Sequence, residues 1–372
     1  MELHGSVRVY PGPAVKIPVN EPETARAIFP TKANHWPLFD PVAVRSRGIK
    51  PRVNERWCMN RVVSHKTRAD GLTRREFLAA AGGMAASLAW SAHGQPTPPT
   101  SEPVIDIHQH TNYRDRTNAQ LVAHQRALGI TQTILLPAGR LFGLDAGCGG
   151  NESVMQLARE FPKEFVFFAN EVADLPEARQ EIEKYLKRGA IGIGEQKFNV
   201  ESDSSYLESI AGIAREFRVP VLMHFQFGTY NTSIERFHKI LEKFPGVNFI
   251  GHAQTWWGNI DKKHDQTVLY PTGRVEPGGI TDRLLRDYPN MFADMSAGSG
   301  LNALLRDEEH TVAFMVRHQD KLLFGTDCND ALGRGPGCQG AQTLAAVRRL
   351  APEKKIERKL LYDNARTLFK LG

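Results

Sequence analysis

Residues 104–110 read VIDIHQH, with His108 and His110 two positions apart. On a β-strand, residues i and i+2 share a face. The two imidazoles would then project side by side, with Asp106 behind them on that face. Such a pair is either a metal claw or a chance spacing, and the rest of the chain has to separate the two.

From residue 103 onward, short β-type runs alternate with amphipathic helical stretches. The runs are 104–108, 131–139, 165–172, 190–198, 220–227, 247–253, 290–296 and 321–328. Between them lie segments such as NESVMQLAREF, LPEARQEIEKYLKR and YLESIAGIAREF. Eight β/α units over 103–372 predict an α/β fold of the (β/α)8 TIM-barrel type. A doubly wound open sheet is the alternative, but no GxGxxG turn follows the first strand. Barrel sites form at the C-terminal strand ends. Those ends carry His108 and His110, Glu195 and Lys197, His224, His252, Asp294 and Asp327. The remaining body histidines, His124, His238, His264, His310 and His318, fall in helical or loop contexts and read as surface or packing residues.

D-x-H-x-H on strand 1, histidines on strands 5 and 6, and an aspartate on strand 8 resemble the amidohydrolase superfamily. The resemblance is to its amidohydrolase-2 branch, which includes aminocarboxymuconate-semialdehyde decarboxylase-like enzymes, and it spans roughly 103–370. It implies His108, His110, His224 and Asp327 as ligands of one divalent metal, Zn2+ before Mn2+ or another ion. Imidazole and carboxylate suit such an ion, and a catalytic site keeps a position open for water. The expected catalytic groups are Asp327 as proton acceptor, His252 as polariser or proton shuttle, and Glu195. Asp106 would orient a ligand or bond within its strand layer. Glu195 stays open between ligand, acid/base and partner of Lys197.

Substrate contacts are expected from Lys197, Arg140, Tyr230 and Asp294, and from Trp256 and Trp257 as pocket walls. The two tryptophans open a connection of about 30 residues after strand 6, a length usual for a lid or binding loop. The expected activity is hydrolysis of a C–N or C–O bond in a small molecule. Decarboxylation or hydration on the same metal is the alternative. A metal-free glycoside hydrolase using Glu195 and Asp294 and a non-catalytic metal-binding barrel rank below these.

The net charge of +6 invites a nucleic-acid reading. Residues 1–94 hold 14 basic and 7 acidic residues, whereas 95–372 hold 33 and 34. The excess therefore belongs to the leader, and the body offers no basic stripe for nucleic acid. Within the leader, TRREFLAAAGGMAASLAWSA at 73–92 resembles a twin-arginine export signal, with an apolar run short of the ~20 residues of a membrane span. Residues 59–94 are thus expected to be the signal, 95–102 a linker, and 1–58 a disordered extension or an overcalled start before Met59. Periplasmic export through the twin-arginine translocase follows, with no membrane span after cleavage. A homo-oligomer is compatible with this pattern. Of the four cysteines, Cys328 and Cys338 would either pair in an oxidising compartment or remain free thiols.

Overall fold

The computed structural model describes residues 102–139 and 147–372. The leader, its signal, most of the linker and Arg140 lie outside the described residues. Eight parallel strands follow in order: β1 (Ile105–Gln109), β2 (Gln132–Leu135), β3 (Phe165–Phe167), β4 (Ile193–Gln196), β5 (Val221–His224), β6 (Phe249–His252), β7 (Met291–Asp294) and β8 (Leu322–Leu323). Each lies inside one of the runs read from the sequence or overlaps it by all but one residue. Helices such as Asn118–Ala127, Ser205–Phe217 and Gln339–Leu350 connect them. The first of these opens with a capping box, in which the Thr117 hydroxyl accepts from Gln120 N–H and Gln120 Oε1 accepts from Thr117 N–H, satisfying two otherwise free donors.

The sheet runs β1-β2-β3 and β4-β5-β6-β7-β8, and backbone hydrogen bonds close both seams. Gly194 N donates to Ala169 O at 2.9 Å, and on the other side Ile107 N reaches Phe324 O at 3.1 Å and Asp327 N reaches His108 O at 2.8 Å. The result is a (β/α)8 barrel.

Both strand faces are buried, which is why the strands read as nearly continuous apolar runs. The inner layer holds Ile105, Ile107, Ile134, Leu136, Phe168, Leu222, Ile250 and Leu323, joined from the C-terminal helix by Ala365 and Phe369. The outer layer packs Leu135, Ile193, Val221, Met223, Phe249 and Met291 against helix residues such as Leu121, Ile210 and Leu284. The inner face also dictates where the polar residues go. His224 stands two after Leu222, and His252 two after Ile250, so both continue an inward row.

β1 and β4 reach the same interior by another route. Each shifts register against its neighbour, between Asp106 and Gln109 in β1 and between Ile193 and Gln196 in β4. A bulge of this kind re-aims the side chains after it. In β1 it places Ile107 and His108, which are consecutive, both toward the barrel interior. Asp106 is therefore not behind the histidines, as simple alternation predicts. It accepts from Gln125 Nε2 on the helix Asn118–Ala127 at 3.0 Å and from Thr326 N at 2.9 Å. Among the described residues, no helix is long and apolar enough to cross a membrane.

Candidate metal centre

Six side chains converge at the C-terminal mouth of the barrel: His108, His110, Glu195, His224, His252 and Asp327. His108 Nδ1 lies 2.7 Å from Asp294 Oδ2, and His110 Nδ1 lies 2.7 Å from Leu136 O. A carboxylate and a carbonyl only accept, so each Nδ1 carries the proton. In the neutral rings both Nε2 atoms are then lone-pair donors, and they face each other at 3.1 Å. Two such lone pairs repel unless a cation sits between or beside them.

The carboxylates close the ring. Glu195 Oε2 lies 3.6 Å from both Nε2 atoms, while its Oε1 bonds His224 Nδ1 and lies 3.7 Å from His252 Nε2. Asp327 Oδ1 lies 3.5 Å from His110 Nε2 and 3.8 Å from His108 Nε2, and Oδ2 lies 3.8 Å from His252 Nε2. Asp327 Oδ1 is buried without a hydrogen-bond partner, which is costly unless something cationic or protic meets it. Ligands about 2.0–2.2 Å from a tetrahedral ion stand about 3.3–3.6 Å apart. The observed spacings bracket that value, so the donor set fits a divalent metal. Glu195 belongs to two of the ligand-type triads here, one with His108 and His110 and one with His224 and His252.

The electrostatics agree. Burial opposes charge on His108, but Asp327 and Asp294 outweigh it and raise its affinity for a proton. Burial and the neighbouring His108 push His110 the other way. Burial together with the Lys197 charge pushes His224 down to about 4. Glu195 is buried, yet His224 and His108 hold its carboxyl well below the usual range. The pocket thus favours positive charge beside His108 while disfavouring it on His110 and His224.

Asp294 does not meet a substrate. It is wholly buried, and its Oδ2 takes His108 Nδ1, His252 Nδ1 at 3.0 Å and Ser296 Oγ at 2.7 Å. Its carboxylate sets two rings at once, as outer partners of metal-site histidines do. Glycine at 325 makes room for it: a Cβ there would lie 2.6 Å from Asp294 Oδ1 and 3.1 Å from His108 Cβ. The tryptophans are not pocket walls either. Trp256 is 0% exposed, stacked on Phe225 and seated over Gly251, whose missing Cβ leaves space for the indole. Trp257 is buried and donates from Nε1 to Asp294 O at 2.9 Å. Both belong to the helical turn Gln254–Gly258 directly after β6.

The rim is formed by other groups. Lys197 Nζ stands 5.4 Å from the Tyr230 ring, which meets His224 edge-on at 5.6 Å. Tyr113, three residues past His110, packs its ring 5.0 Å from that imidazole. The Asp327 charge, then burial, raises its phenol far above the usual value. Cys148 is pushed up to about 12 by burial, with Glu195 and Asp327 adding to it. Sequence reading missed Tyr113, Cys148 and Ser296. The available signal was the position of Tyr113 and Ser296 just after β1 and β7 and of Cys148 in the connection after β2, where barrel loops form the rim. Beside the mouth, between the loops after β5 and β6, a cavity of about 200 Å³ is lined by Gln226, Phe227, Asn231, Thr255 and Gln266.

A family model described as amidohydrolase matches residues 105–371. Among solved structures, an uncharacterized TIM-barrel protein from Bordetella bronchiseptica is similar at a TM-score of 0.52 and 15% identity, covering 72% of this chain and 98% of that one. A probable 2-pyrone-4,6-dicarboxylic acid hydrolase from Acinetobacter baumannii, with citric acid bound, is similar at 0.50 and 11% identity, covering 72% and 99%. At such identities the likeness speaks to the fold. No curated protein matches the chain.

Proposed function

The chain belongs to the amidohydrolase family, and on that premise we propose that it is a metal-dependent hydrolase cleaving a C–N or C–O bond of a small acidic substrate. The observation that carries the reading is the orphaned Oδ1 of Asp327 facing the paired Nε2 atoms of His108 and His110. One divalent ion, zinc by donor chemistry, would be held by His108, His110, His224 and Asp327. Glu195 touches both halves of that set and joins as an added carboxylate ligand. When bound, the ion would lower the pKa of a water toward about 7 and polarise the scissile group.

The chain's own residues supply the proton chemistry. Asp327 has the most open side chain of the six, at 13% exposed, and takes a proton from the attacking water at Oδ2, with Oδ1 left as the ligand atom. The same carboxyl then returns that proton to the leaving nitrogen or oxygen. His252 is fixed through Nδ1 by Asp294 and Ser296 and presents Nε2 to the substrate oxygen. Lys197 places a cation at the rim, within reach of a substrate carboxylate.

That cation also favours the second reading, decarboxylation of an acidic substrate on the same scaffold. The glycosidase pairing of Glu195 with Asp294 fails, because Asp294 is saturated by hydrogen bonds and Glu195 is enclosed by imidazoles. Export through the twin-arginine translocase stays part of the proposal and rests on Arg74, Arg75 and the apolar run after them.

The test is a panel of amides, lactones, esters and aromatic carboxylates offered to the metal-loaded full chain, with acid release and CO2 both followed. Turnover with acid release supports hydrolysis. CO2 alone moves the assignment to decarboxylation. No turnover of any class by folded, metal-loaded protein contradicts both.

A further inference from the structure

Away from the barrel mouth, a second group of metal-type donors meets in the interior. His124 lies on the helix Asn118–Ala127, Cys328 directly follows Asp327, and Cys338 caps the helix Gln339–Leu350. His124 and Cys338 are 0% exposed and Cys328 is 3%. Their ligand atoms all lie within 4.8 Å of one another. The two thiols stand 3.8 Å apart, and Cys338 Sγ stands 3.4 Å from His124 Nε2.

A disulfide brings sulfurs to about 2.05 Å, so the observed separation is not that bond. Hydrogen bonding alone satisfies the cluster poorly, since thiols are weak donors and His124 Nδ1 has no partner. A tetrahedral metal explains the spacing. With metal–sulfur near 2.3 Å and metal–nitrogen near 2.0 Å, the sulfurs stand about 3.8 Å apart and sulfur and nitrogen about 3.5 Å apart.

One backbone donor faces the sulfurs. Cys338 Sγ accepts the Ala341 N–H at 3.4 Å, at the N-terminus of its helix, where backbone donors favour a thiolate. The Asp330 carboxylate lies beside Cys338 and His124. Its Oδ2 is oriented by Leu332 N at 2.8 Å and Gly333 N at 2.7 Å.

We propose that His124, Cys328 and Cys338 bind a zinc ion distinct from the centre at the barrel mouth, with the Asp330 carboxylate beside the cluster. Two thiolates with one imidazole select a borderline-soft ion, and the burial of all three residues sets the site apart from the open barrel mouth. The two thiol protons leave to solvent as the ion enters, with no change of oxidation state. The ion ties the loop after β8 to two helices. Cys328 O meanwhile accepts from Arg116 Nη1 at 2.6 Å and Gln109 Nε2 at 3.1 Å. The brace therefore reaches both Asp327 and the strand that carries His108.

The test is cobalt substitution of the full chain under reducing conditions. Thiolate-to-cobalt charge-transfer absorption reports sulfur ligands, which the histidine and carboxylate ring cannot produce. The band is expected in the wild type, in His108→Ala/His110→Ala and in Cys148→Ser, and is expected to vanish in Cys338→Ser together with one equivalent of metal. Should Cys338→Ser not fold, His124→Gln keeps both thiols and must weaken cobalt retention against a chelator by more than about 10-fold, the scale of losing even an outer partner. Folded wild type that takes up cobalt without the band overturns the proposal. So does a band lost in Cys148→Ser, or a mass under non-reducing conditions that shows Cys328 linked to Cys338.

Discussion

Asp294 Oδ2 lies 2.7 Å from His108 Nδ1, joining β7 to β1 across the barrel interior. The same oxygen takes His252 Nδ1 and Ser296 Oγ. Asp294→Asn keeps the shape but places at most one neutral acceptor where a charged oxygen served three donors. Metal affinity should fall about 10–100-fold, the usual cost of losing an outer partner, with little change in fold. Competitive chelation measures it, and unchanged affinity would show that Asp294 is packing only.

Asp327 is assigned the proton transfers. Asp327→Asn should lower kcat by about 10²–10⁴-fold, with the ring histidines still retaining measurable metal. Turnover and metal content should be measured on one preparation. Full activity in a metal-loaded variant would remove Asp327 from the chemistry.

Trp256 and Lys197 should separate stability from binding. Trp256→Ala empties a buried site stacked on Phe225 and is expected to cost about 3–5 kcal/mol, read by denaturant unfolding. Lys197→Met should leave stability nearly unchanged and raise KM for an acidic substrate about 10-fold or more. A stable Trp256→Ala with altered specificity would restore the tryptophan to the pocket.

Asp282 gives a pH-dependent prediction away from the site. Burial would raise its carboxyl, but His318 at 2.5 Å and Arg317 at 3.4 Å hold it down to about 2, below the ordinary 3.8. A depressed carboxyl stabilises the fold above its unfolded pKa, and the contribution is lost as pH falls through the folded value. Asp282→Asn should therefore be less stable than wild type at neutral pH, with the gap narrowing between pH about 4 and about 2. A gap independent of pH would show that only shape and hydrogen bonds matter there.

Much of the barrel was legible because each strand is buried on both faces and each helix on one. His224 and His252 were legible as site residues because the inward period of two runs unbroken through Leu222 and Ile250. It failed at Asp106, because a bulge swaps the faces of β1 and nothing in VIDIHQH marks it. Asp294 and the tryptophans failed for another reason. A strand end or a loop start can point into the mouth or beneath it, and only packing against His108, Phe225 and Gly251 decides. The cluster of His124 with Cys338 joins residues 214 apart in sequence, and no local spacing announces it.

The most direct test is elemental analysis of the full chain beside His108→Ala/His110→Ala, both purified folded and without chelator. The wild type should carry a divalent ion that the double variant loses, together with all turnover. Equal metal content in the two proteins, or a folded wild type that takes up no metal after reconstitution, would contradict a metal centre at the barrel mouth.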